Sequence, residues 1–219
     1  MRKLIKRLLD PFLKLGAKKA FSKPRPFKYD GIEVMVMPEV FPPHYTLSTK
    51  ILLQYLKSLE LENKTVLELG CGSGIISLFA ASKKAIVTAS DINNIALTAL
   101  KQATVKNNLD VEIINSDLFQ NLTSQGFDYV IINPPYYPKN PTNIKENAWF
   151  CGEDFEYFRN LFTQLKNRSD DCILMILSQD CNISKITDIA SKQGFKLEIE
   201  LERTMFTERN YIYKVSSKN

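Results

Sequence analysis

The chain has 219 residues, 44% apolar and 24% charged, with a net charge of +5 at neutral pH. That length and balance suit one globular domain with a short extension, and exclude collagen-like, wholly disordered and disulfide-scaffold classes. The charge is uneven: residues 1–28 hold ten Lys or Arg and one acid, Asp10, whereas the rest is mildly acidic. A basic arm of this kind suits an anionic partner, such as nucleic acid or a membrane surface, or else a solvated helix face. Leu4, Leu8, Phe12 and Leu15 recur at helical spacing, which predicts an amphipathic basic helix over 2–20, kinked or split at Pro11. Charged residues interrupt its apolar positions, so it does not read as a secretory signal. No run of 18 apolar residues occurs, so no membrane span is expected.

Residues 22–27 are expected as a proline linker, and 28–41 as a short hairpin around Tyr29-Asp30-Gly31. Ser48 or Thr49 then caps a helix running to about Leu59. From Thr65 the pattern alternates. Strands are expected at 65–69, 85–90, 111–115, 129–133 and 172–177, and helices at 75–83, 94–108, 153–166 and 184–193. Short apolar strands alternating with helices indicate a parallel sheet covered on both faces. Two final strands, 196–202 and 211–215, have no helix between them, so the last should be antiparallel. The predicted class is therefore α/β, a Rossmann-like, mostly parallel sheet with a basic extension (1–28), a hairpin and lid helix (29–60) and a ligand-binding core (61–219). Cys71, Cys151, Cys172 and Cys181 show no paired short spacing, and His44 is the sole histidine. Neither a zinc site nor a redox pair is expected, and a reducing, cytoplasmic setting is.

The most informative stretch is Glu68-Leu69-Gly70-Cys71-Gly72-Ser73-Gly74, which holds three of the eight glycines. Glycine costs backbone entropy, so this clustering implies a sharp strand-to-helix turn that a ligand approaches closely. A nucleotide P-loop needs Gly-Lys-Ser/Thr, and the loop has no lysine. A dinucleotide fingerprint needs its last glycine where Ile75 stands. That disfavours a nicotinamide-dependent oxidoreductase. Glu68 ahead of the loop can attract a cation, such as an ammonium or sulfonium. The second strand ends at Asp91, whose carboxylate can accept from ribose hydroxyls, with Ile92 beside it for a purine face. The third ends at Ser116-Asp117-Leu118. Three acids at successive strand ends beside such a loop point to a nucleoside pocket.

The fourth strand runs into Asn133-Pro134-Pro135-Tyr136. Two prolines end pairing and stiffen the chain. The Asn133 side-chain carbonyl and the Pro134 backbone carbonyl can accept both hydrogens of a planar NH₂ group, and Tyr136 can stack on the plane carrying it. Such a nitrogen has a delocalised lone pair. Alignment and desolvation, rather than a strong base, would then carry the reaction. Phe155, Tyr157, Phe158 and Phe162 have the helical spacing of core residues rather than of a base-stacking surface.

Together these motifs resemble class I S-adenosylmethionine (SAM) methyltransferases, specifically the HemK type, which methylates a glutamine amide in translation release factors. They are also similar to the amino-group methyltransferases of DNA and RNA adenine that share Asn-Pro-Pro-Tyr. The resemblance implies SAM as cofactor, held by Glu68, Gly70, Cys71, Gly72, Gly74, Asp91, Ile92, Asp117 and Leu118, with Asn133 bordering it. Asp117 would accept from the adenine amino group. Asn133, Pro134, Pro135 and Tyr136 would form the catalytic segment, with Asn133, Pro134 and Tyr136 meeting the substrate; His44, in a segment placed to lid the pocket, is a further candidate substrate contact on its position alone. The segment Ala148–Asp154 resembles a Gly-rich stretch downstream of that signature, with Cys151 in place of a glycine. In bacterial HemK a helical domain precedes the hairpin; here the basic arm of residues 1–28, with ten Lys or Arg, stands before it. Phe41-Pro42-Pro43-His44-Tyr45 stands where the family has a Pro-Arg-Pro-like turn. The implied acceptor is a release-factor-like protein, the alternative an RNA or DNA adenine. A non-catalytic nucleic-acid-binding module on the same fold is a minor third reading.

Overall fold

The computed structural model describes residues 22–44, 46–205 and 208–218. The basic helix expected over 2–20 lies outside the described residues. Strands β1 (Arg25–Tyr29) and β2 (Ile32–Val36) form an antiparallel hairpin. Asp30 and Gly31 both have positive φ (52° and 84°), as a tight two-residue turn requires. The expected linker is thus partly strand. Pro26 is tolerated there because the ribbon has only two strands, and a proline on an edge leaves no neighbouring ladder bond unmade.

Helix α1 spans Leu47–Leu56. Thr46, not Ser48 or Thr49, stands at its N-cap, and its hydroxyl donates to the Pro42 carbonyl (3.2 Å) instead of capping the helix. Ser48 and Thr49 are buried inside the first turn, because the Pro42-Pro43 turn lets the helix begin earlier than those side chains suggest.

The central sheet contains β3 (Thr65–Leu69), β4 (Ile86–Asp91), β5 (Glu112–Asn115), β6 (Tyr129–Ile132), β7 (Cys172–Ser178), β8 (Phe195–Met205) and β9 (Glu208–Ser217). Their order across the sheet is β5-β4-β3-β6-β7-β9-β8. The first five are mutually parallel, and β9 pairs antiparallel with both β7 and β8. Helices α2 (Ile75–Ser82), α3 (Asn94–Asn107), α4 (Glu156–Leu165) and α5 (Ile183–Lys192) make the crossovers. Asn93 caps α3 and Asn182 caps α5 through side-chain bonds to Ile95 N and Lys185 N. Helix α4 starts three residues later than expected, because Gly152 and Phe155 both take positive φ and hold a turn there.

Alternation along the strands fills both faces. Ile131, Leu174, Ile176 and Ile212 pack beneath the hairpin and α1–α3. Val130, Ile132, Met175 and Tyr213 pack beneath α4 and α5, around Phe158 and Phe162. Among the described residues, no helix is long and apolar enough to cross a membrane.

Candidate active site

Beyond Leu69 the chain turns through residues 70–74 into α2. Gly70, Gly72 and Gly74 all have positive φ (75°, 49° and 69°), where a Cβ would be strained. The Gly70 and Cys71 amides both donate to the Ser90 carbonyl (2.9 and 2.8 Å), and the Gly72 amide donates to Asp91 Oδ2 (2.8 Å). The second strand's terminal acid therefore braces the first strand's loop. Gly74 has a second demand on it: a Cβ there would lie 2.3 Å from Leu100 Cδ1 on α3.

A cavity of about 370 Å³ opens along the carboxyl ends of β3, β4 and β6. Residues 70–73, Asp91, Ile92, Asp117, Leu118, Asn133 and Pro135 line it. Its lining holds five carboxylates (Glu39, Glu68, Asp91, Asp117 and Glu156) and, among the described residues, no Lys, Arg or His. Such a field repels phosphate and attracts a cation. Burial raises the Asp91 carboxyl above its usual range, while the amides of Asn93 and Gly72 hold it down. Glu68 is buried, and that burial pushes its pKa up to about 8 although Ser77 opposes the shift. Its Oε2 accepts from the Ser77 amide (2.8 Å) and hydroxyl at the start of α2, so one of its two oxygens is already engaged. The Cys71 thiol, also in the lining, is pushed up by burial, which keeps it a protonated, unreactive group.

The strand-end alternation governs the next segment. Asn133 and Pro135 face the cavity, whereas Pro134 and Tyr136 do not line it. Tyr136 packs on the opposite face with the α4–α5 core, its ring 4.7 Å from that of Tyr137. Burial raises its hydroxyl pKa. Of the expected pair, Asn133 lines this cavity and Tyr136 packs beside it. His44 is also absent from the lining: its Nε2 lies 2.9 Å from the Pro26 carbonyl, and its ring sits edge-on to Phe27.

Several lining residues escaped the sequence. Glu39 and Phe41 arrive from the β2–α1 connection, and Asn140, Ile144 and Phe150 from the β6–α4 connection. Lys145 meets Glu39 (2.9 Å) and Trp149 meets Phe41 (rings 4.7 Å apart), which joins the two connections over the cavity. No periodicity marks such loop residues. Tyr157, expected in the core with Phe155, Phe158 and Phe162, packs half-buried against that core, its ring 5.4 Å from that of Phe158, and also lines the cavity. Among the described residues, no cluster of three His, Cys, Asp or Glu side chains could hold a metal ion.

A family model described as the methyltransferase small domain matches residues 32–149, a stretch containing both the glycine loop and Asn133–Tyr136. The chain belongs to the methyltransferase small domain family. Relatives with curated names agree. A Methanocaldococcus jannaschii protein, provisionally named a protein N5-glutamine methyltransferase, is 40% identical over 111 residues, covering 50% of this chain and 53% of that one. A ribosomal RNA small subunit methyltransferase C from Buchnera aphidicola is 35% identical over 120 residues (53% of this chain, 36% of that one). A release factor glutamine methyltransferase from Borreliella burgdorferi is 31% identical over 186 residues (77% and 63%). The matched part thus spans about half, a third and under two thirds of these relatives' own lengths. A Pyrococcus furiosus methyltransferase structure superposes with a TM-score of 0.63 at 17% identity, covering 95% of this chain and 99% of that one. The fold of this methyltransferase-family chain is therefore the Rossmann-like, class I arrangement, and the HemK-type resemblance stands on the same residues.

Proposed function

We propose that the chain is a SAM-dependent N-methyltransferase acting on a planar amino nitrogen, foremost a glutamine side-chain amide of a release-factor-like protein. One observation carries this reading: Asn133 lines the same acidic cavity as the glycine loop. The donor set fits SAM. The loop backbone is open at Gly70, with no atom within 4 Å of an added Cβ, and the lining carboxylates suit a sulfonium and an ammonium. Glu68, Asp91, Asp117, Ile92 and Leu118 would hold it. Bound SAM supplies an electrophilic methyl group on a good leaving group. Asn133 orients the acceptor by taking a hydrogen bond from its NH₂, and Pro135, which also lines the cavity, stiffens the segment that carries it. The cavity walls exclude water from the exchange.

The named relatives that act on glutamine support this acceptor. The ribosomal RNA relative and the ten basic residues of 1–28 support a second reading, an RNA amino group. The four free cysteines suit a cytoplasmic setting. Incubating the full chain with methyl-tritiated SAM and fractionated lysate tests the assignment. Label in a protein fraction, released from glutamine on hydrolysis, is expected. Label confined to RNA favours the second reading, and no label in any fraction defeats both.

A further inference from the structure

The segment between β5 and β6 carries part of the cavity wall and is itself held by groups outside the lining. Asp117 and Leu118 line the cavity from a turn in which Leu118 has φ 52°. This turn follows the edge strand, and no helix follows it to pack it down. Its own bonds fold it locally: the Ser116 hydroxyl donates to the Leu118 carbonyl (2.8 Å) and accepts from the Asn121 amide (3.0 Å). On the sheet side the turn is tied down by the Ser116 amide, which donates to the Asp91 carbonyl (3.1 Å), and by Asn121 Nδ2, which donates to the Asn115 carbonyl (2.8 Å).

Its other side, from Phe119 onward, is held by the far end of α4. Gln164 Oε1 accepts from the Phe119 amide (2.9 Å). The Arg168 guanidinium lies 4.6 Å from the Phe119 ring centroid and donates to the carbonyls of Thr123 (2.9 Å) and Gln125 (3.0 Å). Asp170 holds that guanidinium from the other side through two 2.8 Å bonds, and also accepts from the Phe127 amide. The ion pair is shielded, with side-chain exposures of 4% and 0%. From 117 through 127, the hydrogen bonds to other elements among the described residues go to α4 and the turn after it, apart from the Asn121 Nδ2 donation to the Asn115 carbonyl at the end of β5 (2.8 Å). The contact is tight as well: a Cβ on Gly126 would lie 2.1 Å from the Ser169 carbonyl oxygen.

We propose that Gln164 and Arg168 are positioning residues that aim the Asp117 carboxylate, and so set how the cavity discriminates a purine amino group. Neither lines the cavity. They act through Phe119, two residues beyond the carboxylate. The proposal rests on the SAM reading and extends it to groups outside the motifs.

Calorimetry can test it with S-adenosylhomocysteine and S-inosylhomocysteine, which carries oxygen in place of the purine amino group. The wild-type chain should prefer the adenine compound by roughly tenfold or more, the scale of one hydrogen bond to a charged group. Gln164→Met removes the acceptor at nearly constant volume and should bring the two affinities together. Gln164→Glu restores an acceptor oxygen and should recover the preference. Arg168→Lys keeps the charge but loses the fork, so it should also narrow the preference. Thermal unfolding of each variant separates aim from folding. A Gln164→Met variant that keeps the full wild-type preference overturns the proposal while leaving the SAM reading intact. A wild-type chain that binds neither compound overturns the SAM reading and the brace with it.

Discussion

The glycine loop and the Asn-Pro-Pro-Tyr segment leave the sheet side by side, since Leu69 and Ile132 are register partners on β3 and β6. They meet the cavity in different ways. Four consecutive residues, 70–73, line it, because a backbone at positive φ curls around a ligand-sized space instead of crossing it. The other segment is stiffened by two prolines and keeps the strand's alternation: Asn133 and Pro135 face in, and Tyr136 faces the other layer. A loop can devote its whole length to one ligand. An extended segment splits its side chains between two surfaces, so an acceptor that meets both Asn133 and Tyr136 must straddle the sheet edge.

The largest effect expected on this comparison comes from Gly74→Ala. The new methyl would be forced to φ 69° and towards Leu100, which is fully buried. Left-handed strain and overpacking together should cost about 2–5 kcal/mol. Urea denaturation reads this directly, and an unchanged midpoint would show that the loop tolerates a side chain at its last glycine. Next is Asn133→Ala, which leaves the glycine loop untouched. Methyl transfer should fall by about 10²-fold or more, the scale of losing one preorganised hydrogen-bonding group. Affinity for S-adenosylhomocysteine should stay within about threefold, less than one ordinary hydrogen bond. Normal turnover by that variant would remove Asn133 as the orienting group and leave the two segments functionally unlinked.

Much of the fold was legible because its signals are local. Apolar runs such as Val66–Leu69 and Val130–Ile132, broken by Gly, Asn or Pro, mark strands buried on both faces. The cavity's floor was legible for the same reason, since Gly70, Gly72, Asp91, Asp117 and Asn133 each lie at a strand's last residue or within three residues beyond it. Its roof was not. Glu39 and Lys145 meet across more than a hundred residues, and nothing in either neighbourhood announces the pair. Tyr157 shares the helical spacing of Phe158 and Phe162, yet it stands on the margin of α4's buried stripe, where one step of rotation separates core from cavity.

The smallest of these effects concerns Glu68, which separates two tasks within the glycine region: fixing the α2 start and attracting a cation. In the folded chain its pKa is about 8, against an ordinary 4.5. The folded state therefore keeps a proton that the unfolded chain has released between those values. Stability contributed by this group is fully present below about pH 4.5 and is lost as pH rises to about 8. Glu68→Gln has nothing to titrate and still offers Ser77 an acceptor. Its stability, measured by urea denaturation at several pH values, should match the wild type in acid and exceed it above pH 8. A bound cation favours the carboxylate, so S-adenosylhomocysteine, through its ammonium, should bind the wild type more tightly as pH rises through this window. The Gln variant should lack that part of the slope. Identical pH profiles for both chains would assign Glu68 to the helix start alone and leave the attraction of the cation to Asp91 and its neighbours.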